Sequence, residues 1–269
     1  MRALLLGTGA ADIHSPERCR CANCALVRER GGRSRRTYTA ALLDGELLLD
    51  CGPTVPAQLA ALAPAARLSC LLVTHPDGDH FDRAAIAAVA SRHAAGRLRV
   101  VGSTAVIAAL RDSPAASGLD LQPIAVLETL AVGPWTVTAL PARHRGAAGD
   151  SLLYLVSRNQ HRLFYATDTG PLLEPARNAL HGLHLDAVIA EATFGLQTSG
   201  IADLPSAHMN YPLLCDLRTD LLQAGVIAPA TPFVATHLSL HFCPPYEEST
   251  AWLAERGVTV GFDGMEFGW

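Results

Sequence analysis

Charged side chains are scarce in this sequence of 269 residues, since Asp, Glu, Lys and Arg together make up only 17% of it. The formal net charge of −4 argues against a broad surface for nucleic acid. Apolar runs of transmembrane length are absent, and the start from Met1 to Gly7 meets a glycine too early for a secretory signal. We therefore expect a cytoplasmic protein that binds neither membranes nor nucleic acid.

Cysteine is also infrequent, and the seven cysteines are odd in number, with three of them inside six residues. This distribution does not suit a disulfide framework and fits metal binding in a reducing cytoplasm. Thiols spaced Cys-x-Cys-x-x-Cys can converge on one tetrahedral ion, so Cys19, Cys21 and Cys24 predict a structural zinc with its fourth ligand from elsewhere. Three free thiols are the alternative, although an exposed cluster of this kind would oxidise readily.

Apolar residues are plentiful, at 49% of the chain, and supply a large buried core for one α/β domain over residues 1–269. Short apolar runs predict buried strands, and the alanine-rich run at residues 84–95 predicts a helix. The arginines from Arg28 to Arg36 are interpreted as a solvated loop rather than a phosphate clamp, and His93 as a surface residue. We expect strands at residues 1–9, 68–73, 98–102, 130–141, 185–190, 232–236 and 258–269, the last with a turn at Asp263-Gly264. Hairpins are expected at 44–45 and 158–160, and helices at 84–95 and 103–111.

The strand predicted at residues 68–73 ends in the sequence His75-Pro76-Asp77-Gly78-Asp79-His80. The proline and the glycine exclude a regular helix, so two imidazoles and two carboxylates are presented on a tight loop. Ligands at alternating positions of such a loop can diverge to two neighbouring divalent ions, an arrangement that supports metal-assisted hydrolysis. A helix-capping turn by Asp79 or Asp82 is the alternative, but a cap needs one carboxylate and leaves both histidines unexplained.

Further candidate ligands follow other predicted strands. His144 and His237 each come after a strand, and Asp168 comes after the second hairpin. Taken alone, His144 would be an ordinary core or surface histidine, and Asp168 would be the cap of a helix near Pro171. Asp50, at the end of the first hairpin, is either a turn former or the residue that orients a ligand histidine.

The loop from His75 to His80 resembles the His-x-His-x-Asp-His signature of the metallo-β-lactamase superfamily, with Asp77 where the second histidine usually stands. The resemblance covers nearly the whole chain, with the ligand motifs in family order. It implies an αββα sandwich of two mixed β-sheets flanked by helices. The carboxylate of Asp77 makes its site harder and more anionic, which moves the preference from zinc towards manganese or iron.

The resemblance also implies a dinuclear centre that holds two divalent ions, which are manganese, zinc or iron. The turn at Asp50 is similar to the Asp-x-Gly turn that supports the metal loop in this superfamily. The expected ligands are His75, Asp77 and His144 for one ion, Asp79, His80 and His237 for the other, and Asp168 as the bridge between them.

The strand end Glu191-Ala192-Thr193-Phe194, followed by His208, is similar to the phosphodiesterase branch of the superfamily, which includes tRNase Z and PhnP-like enzymes. In that branch the histidine faces the substrate phosphate. His208 is therefore expected to act as a general acid or to contact the phosphate, and Glu191 is expected to orient it. The alternative is that His208 is a residue at the start of a helix with no catalytic role. Asp79 is expected to receive the proton of the nucleophilic water.

The cysteine loop narrows the resemblance towards PhnP-like phosphodiesterases, in which a histidine shortly after the last ligand completes the zinc site. Here His241 is the preferred fourth ligand, and Cys243 stays open. The expected partner is a small cyclic phosphodiester, and a homodimer is compatible with the sequence. PqqB-like iron-dependent oxygenases, which share the cysteine loop and the fold, are the alternative, whereas a tRNase Z-like nuclease lacks the long basic insertion for its substrate.

Overall fold

The computed structural model describes residues 1–146 and 149–269, which form two seven-stranded mixed β-sheets. The strands of the first sheet are β1 (Arg2–Gly7), β2 (Ala40–Leu43), β3 (Leu47–Leu49), β4 (Leu68–Leu72), β5 (Ala94–Gly102), β6 (Leu119–Pro123) and β14 (Glu266–Gly268). Those of the second sheet are β7 (Thr129–Val132), β8 (Trp135–Pro141), β9 (Leu152–Arg158), β10 (His161–Ala166), β11 (Ala187–Glu191), β12 (Phe233–Thr236) and β13 (Thr259–Val260). In space the strands are ordered β14-β1-β2-β3-β4-β5-β6 and β13-β12-β11-β10-β9-β8-β7.

Helices cover the outer faces of both sheets. They are α1 (Ser15–Arg18), α2 (Ala22–Arg30), α3 (Val55–Leu62), α4 (Arg83–His93), α5 (Thr104–Arg111), α6 (Glu174–Leu180), α7 (Tyr211–Gln223) and α8 (Tyr246–Ala254), with 3₁₀ turns at Gly32–Ser34 and Pro114–Gly118. Apolar residues of α3, α4 and α5 pack on the first sheet, and those of α6, α7 and α8 pack on the second. This layering confirms the predicted αββα sandwich. Among the described residues, no helix is both long and apolar enough to cross a membrane.

The layer between the two sheets is apolar because alternate residues of the facing strands point into it. Leu43 and Leu49 of the first sheet share one buried cluster with Trp135, Tyr154 and Tyr165 of the second. Each large side chain buried in this way contributes roughly 1.5–3 kcal/mol. The layer therefore holds the strand ends of one sheet beside those of the other.

The hairpin of β2 and β3 turns at Asp44 and Gly45, as predicted, and both residues have positive φ angles, of 48° and 74°. Strands β3, β4, β5 and β6 are parallel to one another. The strands predicted at residues 68–73 and 98–102 form β4 and the C-terminal part of β5, whereas β6 was not predicted. The sequences of β3 and β4 are almost continuously apolar because these strands are covered on both faces.

Two predicted strands are divided in the structure. Residues 130–141 belong to the hairpin of β7 and β8, because Gly133 turns the chain with a φ of 59°. The C-terminal segment turns at Asp263 and Gly264, as predicted, but the turn separates β13 of the second sheet from β14 of the first. Alternating residues show that a segment is extended, but they do not show which sheet it joins.

Two polar residues predicted to be exposed are buried. His93 ends α4 and is only 6% exposed. Arg36 is 7% exposed, and its guanidinium donates hydrogen bonds to Thr8 Oγ1 and to the Gly261 carbonyl. The predicted basic loop is therefore partly helix α2 and partly a buried link between β1 and the C-terminal segment.

One edge of the sandwich collects the ends of five strands. Strands β10, β11 and β12 are parallel, and β8 runs in the same direction as β10 because both are antiparallel to β9. The hydroxyl of Tyr154 in β9 donates a hydrogen bond of 2.8 Å to the Val73 carbonyl, just beyond β4. This bond ties the end of β4 to the second sheet, so residues that follow all five strands come together.

Candidate metal centre

The predicted ligands converge at this edge of the sandwich. His75 lies three residues beyond β4, His144 three residues beyond β8, and Asp168 two residues beyond β10. His237 follows β12 directly, and Glu191 is the last residue of β11. The strands thus deliver the polar residues, and the buried sheets fix where each is delivered.

Three polar residues at this edge have a left-handed backbone conformation. They are Asp50, Asp168 and His237, with φ angles of 63°, 50° and 52°. A non-glycine residue in this region costs of the order of 1–3 kcal/mol and persists only where the surrounding structure enforces it. Backbone strain is therefore present in the loops that present the candidate ligands.

We call His75, Asp77 and His144 the Asp77 group, and their ligand atoms lie within 4.8 Å of one another. Oδ2 of Asp77 is 3.6 Å from Nε2 of His75 and 3.5 Å from Nε2 of His144. Both histidine side chains are 2% exposed, whereas that of Asp77 is 53% exposed. Three donors thus converge with room for one cation between them.

We call Asp79, His80 and His237 the Asp79 group, and their ligand atoms also lie within 4.8 Å of one another. Oδ2 of Asp79 is 3.4 Å from Nε2 of each histidine. The side chain of Asp79 is 11% exposed. The two groups therefore contain the same donors, namely two imidazoles and one carboxylate.

Asp168 lies between the two groups. Its Oδ2 is 2.9 Å from Nε2 of His80 and 3.1 Å from Nε2 of His237. Its Oδ1 is 4.0 Å from Nε2 of His75 and 3.9 Å from Nε2 of His144. Each carboxylate oxygen therefore faces one group, which is the geometry of a bridging ligand.

Several buried polar atoms of this cluster have no well-directed hydrogen bond within the described part of the chain. They are Nε2 of His75, His80 and His144 and Oδ2 of Asp168. A buried polar atom left without a partner costs about 1–3 kcal/mol. Imidazole nitrogen and carboxylate oxygen are donors that divalent transition metals accept. The residues present therefore fit two divalent cations, one in each group.

Burial and neighbouring charges favour the metal-binding forms of His75 and Asp168, whereas they favour the protonated form of His80. Burial lowers the pKa of His75 to about 4, so its ring is neutral at pH 7. Burial opposes the ionisation of Asp168, but the charges of His237 and His80 outweigh it and hold its pKa well below the usual range. For His80, the charges of Asp168 and Asp79 overcome burial and raise the pKa. A proton on that ring occupies the place of a cation, and metal binding would release it.

Each ligand histidine is fixed through Nδ1, which leaves Nε2 for a cation. Asp50 is one of the fixing residues, so it orients a histidine in addition to forming a turn. Thr74 and Thr193 are two others, and the sequence analysis gave them no role. The Nδ1 partners are Asp50 Oδ2 for His80 (2.8 Å), Thr74 Oγ1 for His75 (2.9 Å), Thr193 Oγ1 for His237 (2.9 Å) and the Ala207 carbonyl for His144 (3.2 Å).

His208 lies beside both groups and is 5% exposed. Its Nδ1 is 3.0 Å from Oε1 of Glu191 and 3.7 Å from Oδ1 of Asp168. Burial alone lowers the pKa of His208, but the charge and hydrogen bond of Glu191 raise it to about 9. His208 is therefore protonated at neutral pH. It does not open a helix, since α7 begins at Tyr211 with Asn210 as its cap.

A cleft of about 220 Å³ lies over the two groups. Among the described residues that line it, Arg145 is the single arginine, and the chain contains no lysine. Nη2 of Arg145 is 3.3 Å from Oδ2 of Asp203, and its side chain is 65% exposed. Phe194 and Phe242 form an aromatic wall, with ring centroids 5.4 Å apart. No role in the site was predicted for Arg145, Asp203, Phe194 or Phe242. The position of Arg145 directly after His144 was the available signal.

A larger groove, of about 450 Å³, runs between α6 and α7. None of the candidate ligands lines it. We therefore assign the chemistry to the smaller cleft.

A second candidate metal site, which we call the thiolate group, consists of Cys19, Cys21, Cys24 and His241. Nδ1 of His241 is 3.4, 3.5 and 3.7 Å from the three sulfur atoms, in chain order. Hydrogen bonds from Cys21 lower the pKa of Cys19 to about 7, which favours its thiolate form. Cys243 is buried elsewhere, with its sulfur against backbone carbonyl oxygens that follow β11. Three thiols and one imidazole can bind a further metal ion, and this donor set suits tetrahedral zinc.

One short segment joins the two candidate sites. His237 belongs to the Asp79 group and His241 to the thiolate group. The carboxylate of Asp12 accepts hydrogen bonds from Ser239 Oγ at 2.7 Å and from the His241 amide at 3.0 Å. The positions of the two histidines are therefore coupled through the three residues of backbone between them.

Residues 46–239 match a family model described as "Beta-lactamase superfamily domain". No curated protein matches the chain. Among solved structures, zinc-bound PqqB from Methylobacterium extorquens is 19% identical, with a TM-score of 0.70 and 100% of each chain covered. A diphosphatase of the PhnP family is 17% identical, with a TM-score of 0.73 and coverage of 100% of this chain and 98% of that one. The short form of human tRNase Z is 18% identical, with a TM-score of 0.67 and coverage of 100% and 99%.

Proposed function

Because the chain belongs to the β-lactamase superfamily, we propose that it is a metal-dependent hydrolase and, more narrowly, a PhnP-like phosphodiesterase. The observation that carries the proposal is the position of Asp168, which turns one oxygen to each of two equal donor groups. A protonated histidine, His208, lines the same cleft. A paired cation site and a proton donor are the parts that hydrolysis of a phosphodiester requires.

The catalytic roles follow from the positions of the side chains. Divalent cations in the two groups would activate a water molecule and neutralise charge that develops on the phosphate. The carboxylate of Asp79, at the floor of the cleft, receives the proton of that water. His208 donates its own proton to the leaving oxygen, and Glu191 keeps His208 charged and oriented.

We propose manganese or iron for the Asp77 and Asp79 groups and zinc for the thiolate group. Each of the first two offers two imidazoles, one aspartate and one oxygen of Asp168. Oxygen donors of this number suit harder divalent ions, whereas thiolates select zinc. Asp77, in the place where the superfamily usually has histidine, supplies the additional oxygen.

The proposed substrate is a small phosphodiester. The cleft, at about 220 Å³, lies below the usual range for drug-sized ligands, which supports a small molecule. Arg145 offers a fixed positive charge at its rim, and the wall of Phe194 and Phe242 offers a flat apolar surface. These features would hold an anionic group beside a sugar or an aromatic leaving group.

The test is hydrolysis of bis(p-nitrophenyl) phosphate and of 2′,3′-cyclic nucleotides by protein loaded with manganese. We expect turnover of the diesters and much slower turnover of p-nitrophenyl phosphate, a monoester control. Protein that holds two manganese ions in the dinuclear centre and still leaves all diesters intact would contradict the proposal.

An iron-dependent oxygenase is the second candidate, and the Asp77 group favours it. Two histidines and one carboxylate form the ligand set of non-haem iron oxygenases, and the half-exposed Asp77 leaves that group open to solvent. Metal analysis of protein purified without oxygen, followed by oxygen uptake, separates the candidates. Iron in the Asp77 group together with oxygen consumption would favour the oxygenase, and diesterase activity without oxygen uptake would exclude it.

A further inference from the structure

The Asp77 and Asp79 groups have identical donors, yet different residues support those donors. We propose that the Asp79 group binds its cation first and more tightly, and that the Asp77 group holds an exchangeable cation. We further propose that Thr193 and Thr74 are the positioning residues that set the affinities of the two groups. The inference rests on the paired cation site alone, so it is independent of whether the substrate is a phosphodiester.

Both histidines of the Asp79 group are supported by carboxylates, one directly and one through a threonine. Nδ1 of His80 donates directly to Oδ2 of Asp50, at 2.8 Å. Nδ1 of His237 lies 2.9 Å from Thr193 Oγ1, whose own proton goes to Oε2 of Glu191. Because the threonine hydroxyl has a single proton and gives it to the carboxylate, Thr193 must accept the proton of His237. His237 therefore keeps its Nε2 lone pair for a cation, with a carboxylate behind the threonine.

The Asp77 group has one support of the same kind. Nδ1 of His75 lies 2.9 Å from Thr74 Oγ1, and that hydroxyl is 2.9 Å from Oδ1 of Asp50. The arrangement of Asp50, Thr74 and His75 thus repeats that of Glu191, Thr193 and His237 on the opposite sheet. Both carboxylates share their charge among several donors, since Asp50 accepts four hydrogen bonds and Glu191 accepts five. The two relays are therefore alike, and the difference between the groups lies in their other histidines.

The other histidine of the Asp77 group has a neutral support. Nδ1 of His144 lies 3.2 Å from the Ala207 carbonyl. A carboxylate behind a ligand histidine raises the basicity of that ligand more than an uncharged carbonyl does, because the bond is charge-assisted. In the Asp79 group, one histidine therefore contacts a carboxylate directly and the other contacts one through a threonine hydroxyl. In the Asp77 group, only His75 has a carboxylate behind it, through Thr74.

Exposure and the bridging carboxylate act in the same direction. The side chain of Asp77 is 53% exposed and that of Asp79 is 11% exposed, so water competes more strongly for a cation in the Asp77 group. The oxygen of Asp168 that faces the Asp79 group lies 2.9 and 3.1 Å from its histidines, against 4.0 and 3.9 Å on the other side. Support, exposure and the bridge all predict tighter binding by the Asp79 group.

Manganese occupancy in crystals tests the order of filling. Crystals of the protein with zinc in its thiolate group are equilibrated with rising concentrations of Mn²⁺. Anomalous scattering between the manganese and zinc absorption edges then reports the occupancy of each group separately. We expect the Asp79 group to fill at a concentration at least about tenfold lower than the Asp77 group. Equal filling, or earlier filling of the Asp77 group, would overturn the proposed order.

Paired threonine variants test the positioning role, with the same occupancy as the readout. Thr193→Val should weaken manganese binding by the Asp79 group roughly 10–100-fold, and Thr74→Val should do so for the Asp77 group. Thr193→Ser and Thr74→Ser keep a hydroxyl and should restore each affinity. The two valine variants lie on opposite sheets, so failure of one to fold leaves the other as the test. A folded valine variant that binds manganese like the wild type would overturn the role of that threonine.

Discussion

The thiolate group and the dinuclear centre are built in opposite ways. Three of the four thiolate-group ligands come from six consecutive residues, Cys19 to Cys24, and two of those cysteines are half-buried. The dinuclear centre takes its ligands from the ends of β4, β8, β10 and β12, in both sheets, and most of them are buried. A local motif supplies three ligands of the first site and one histidine from far along the chain completes it, whereas every ligand pair of the second depends on the closed sandwich. Damage to either site should therefore have different consequences for the other.

Asp168→Ala should produce the largest difference in metal content between the two sites, because both halves of the dinuclear centre share this carboxylate. We expect loss of both manganese ions, activity at background and zinc retained in the thiolate group, as measured by metal analysis. Asp120→Ala, which removes an exposed aspartate paired with Arg99, serves as the control and should leave metal content unchanged. Two manganese ions and normal turnover in Asp168→Ala would refute the bridging role.

His208→Gln should lower kcat by about 10²–10⁴-fold, the usual range for loss of a general acid, while both manganese ions stay bound. The substitution removes the proton donor and leaves every ligand of the dinuclear centre in place. Steady-state kinetics combined with metal analysis provides the measurement. His161→Gln, at an exposed histidine near Asp186, is the matched control. If manganese is lost together with activity, His208 supports the metal instead of the leaving group.

Glu191→Gln should change the pH dependence of kcat. Protonated His208 is the active form, so kcat falls as pH rises through the pKa of His208, which Glu191 raises to about 9 against the effect of burial. Without the charge of Glu191, burial remains and lowers that pKa, so the falling limb moves to lower pH. A pH profile of kcat measures the shift, with Glu255→Gln as an exposed control. A falling limb at the same pH as in the wild type would show that Glu191 does not raise the pKa of His208.

His241→Ala should have the smallest effect on turnover. Zinc is lost from the thiolate group, and the melting temperature falls by roughly 5–10 °C, since structural zinc contributes folding energy. Because only three residues of backbone separate His241 from His237, we expect kcat of the manganese-loaded protein to fall, but by no more than about tenfold. Calorimetry and kinetics measure the two effects, and Cys215→Ser is the control. Activity as low as in Asp168→Ala would show that the sites do not differ in this way.

The elements of this fold that local patterns encode were predictable from the sequence. The β2–β3 hairpin follows from Asp44-Gly45 between apolar runs, and the parallel strands follow from their continuous apolarity. The candidate ligands, too, could be listed because each comes after such a strand. Residues 130–141 were wrong as a single strand, and for residues 258–269 the turn was predicted but not that its two sides join different sheets, since sheet membership depends on partners far away in the chain.

Asp50 and Glu191 were predicted to orient histidines, but two other residues that act in the same way were not. Thr74 and Thr193 gain their roles only because the fold places a carboxylate on one side of each hydroxyl and an imidazole on the other. Arg36 was wrongly taken as solvated because its two acceptors lie near opposite ends of the chain. His93 was likewise misplaced, since burial at a helix end depends on what packs there. Such roles are properties of the assembled sandwich.

The left-handed conformations of Asp50, Asp168 and His237 bear on any attempt to transplant this site. Each residue resists its own backbone angles by about 1–3 kcal/mol, and the two closed sheets supply the restraint. Peptides copied from the segments around Asp168 and His237 would relax from these angles and move their donors apart. A designer who wants this cation pair elsewhere must therefore carry over the sandwich that bends those loops, and not the loops alone.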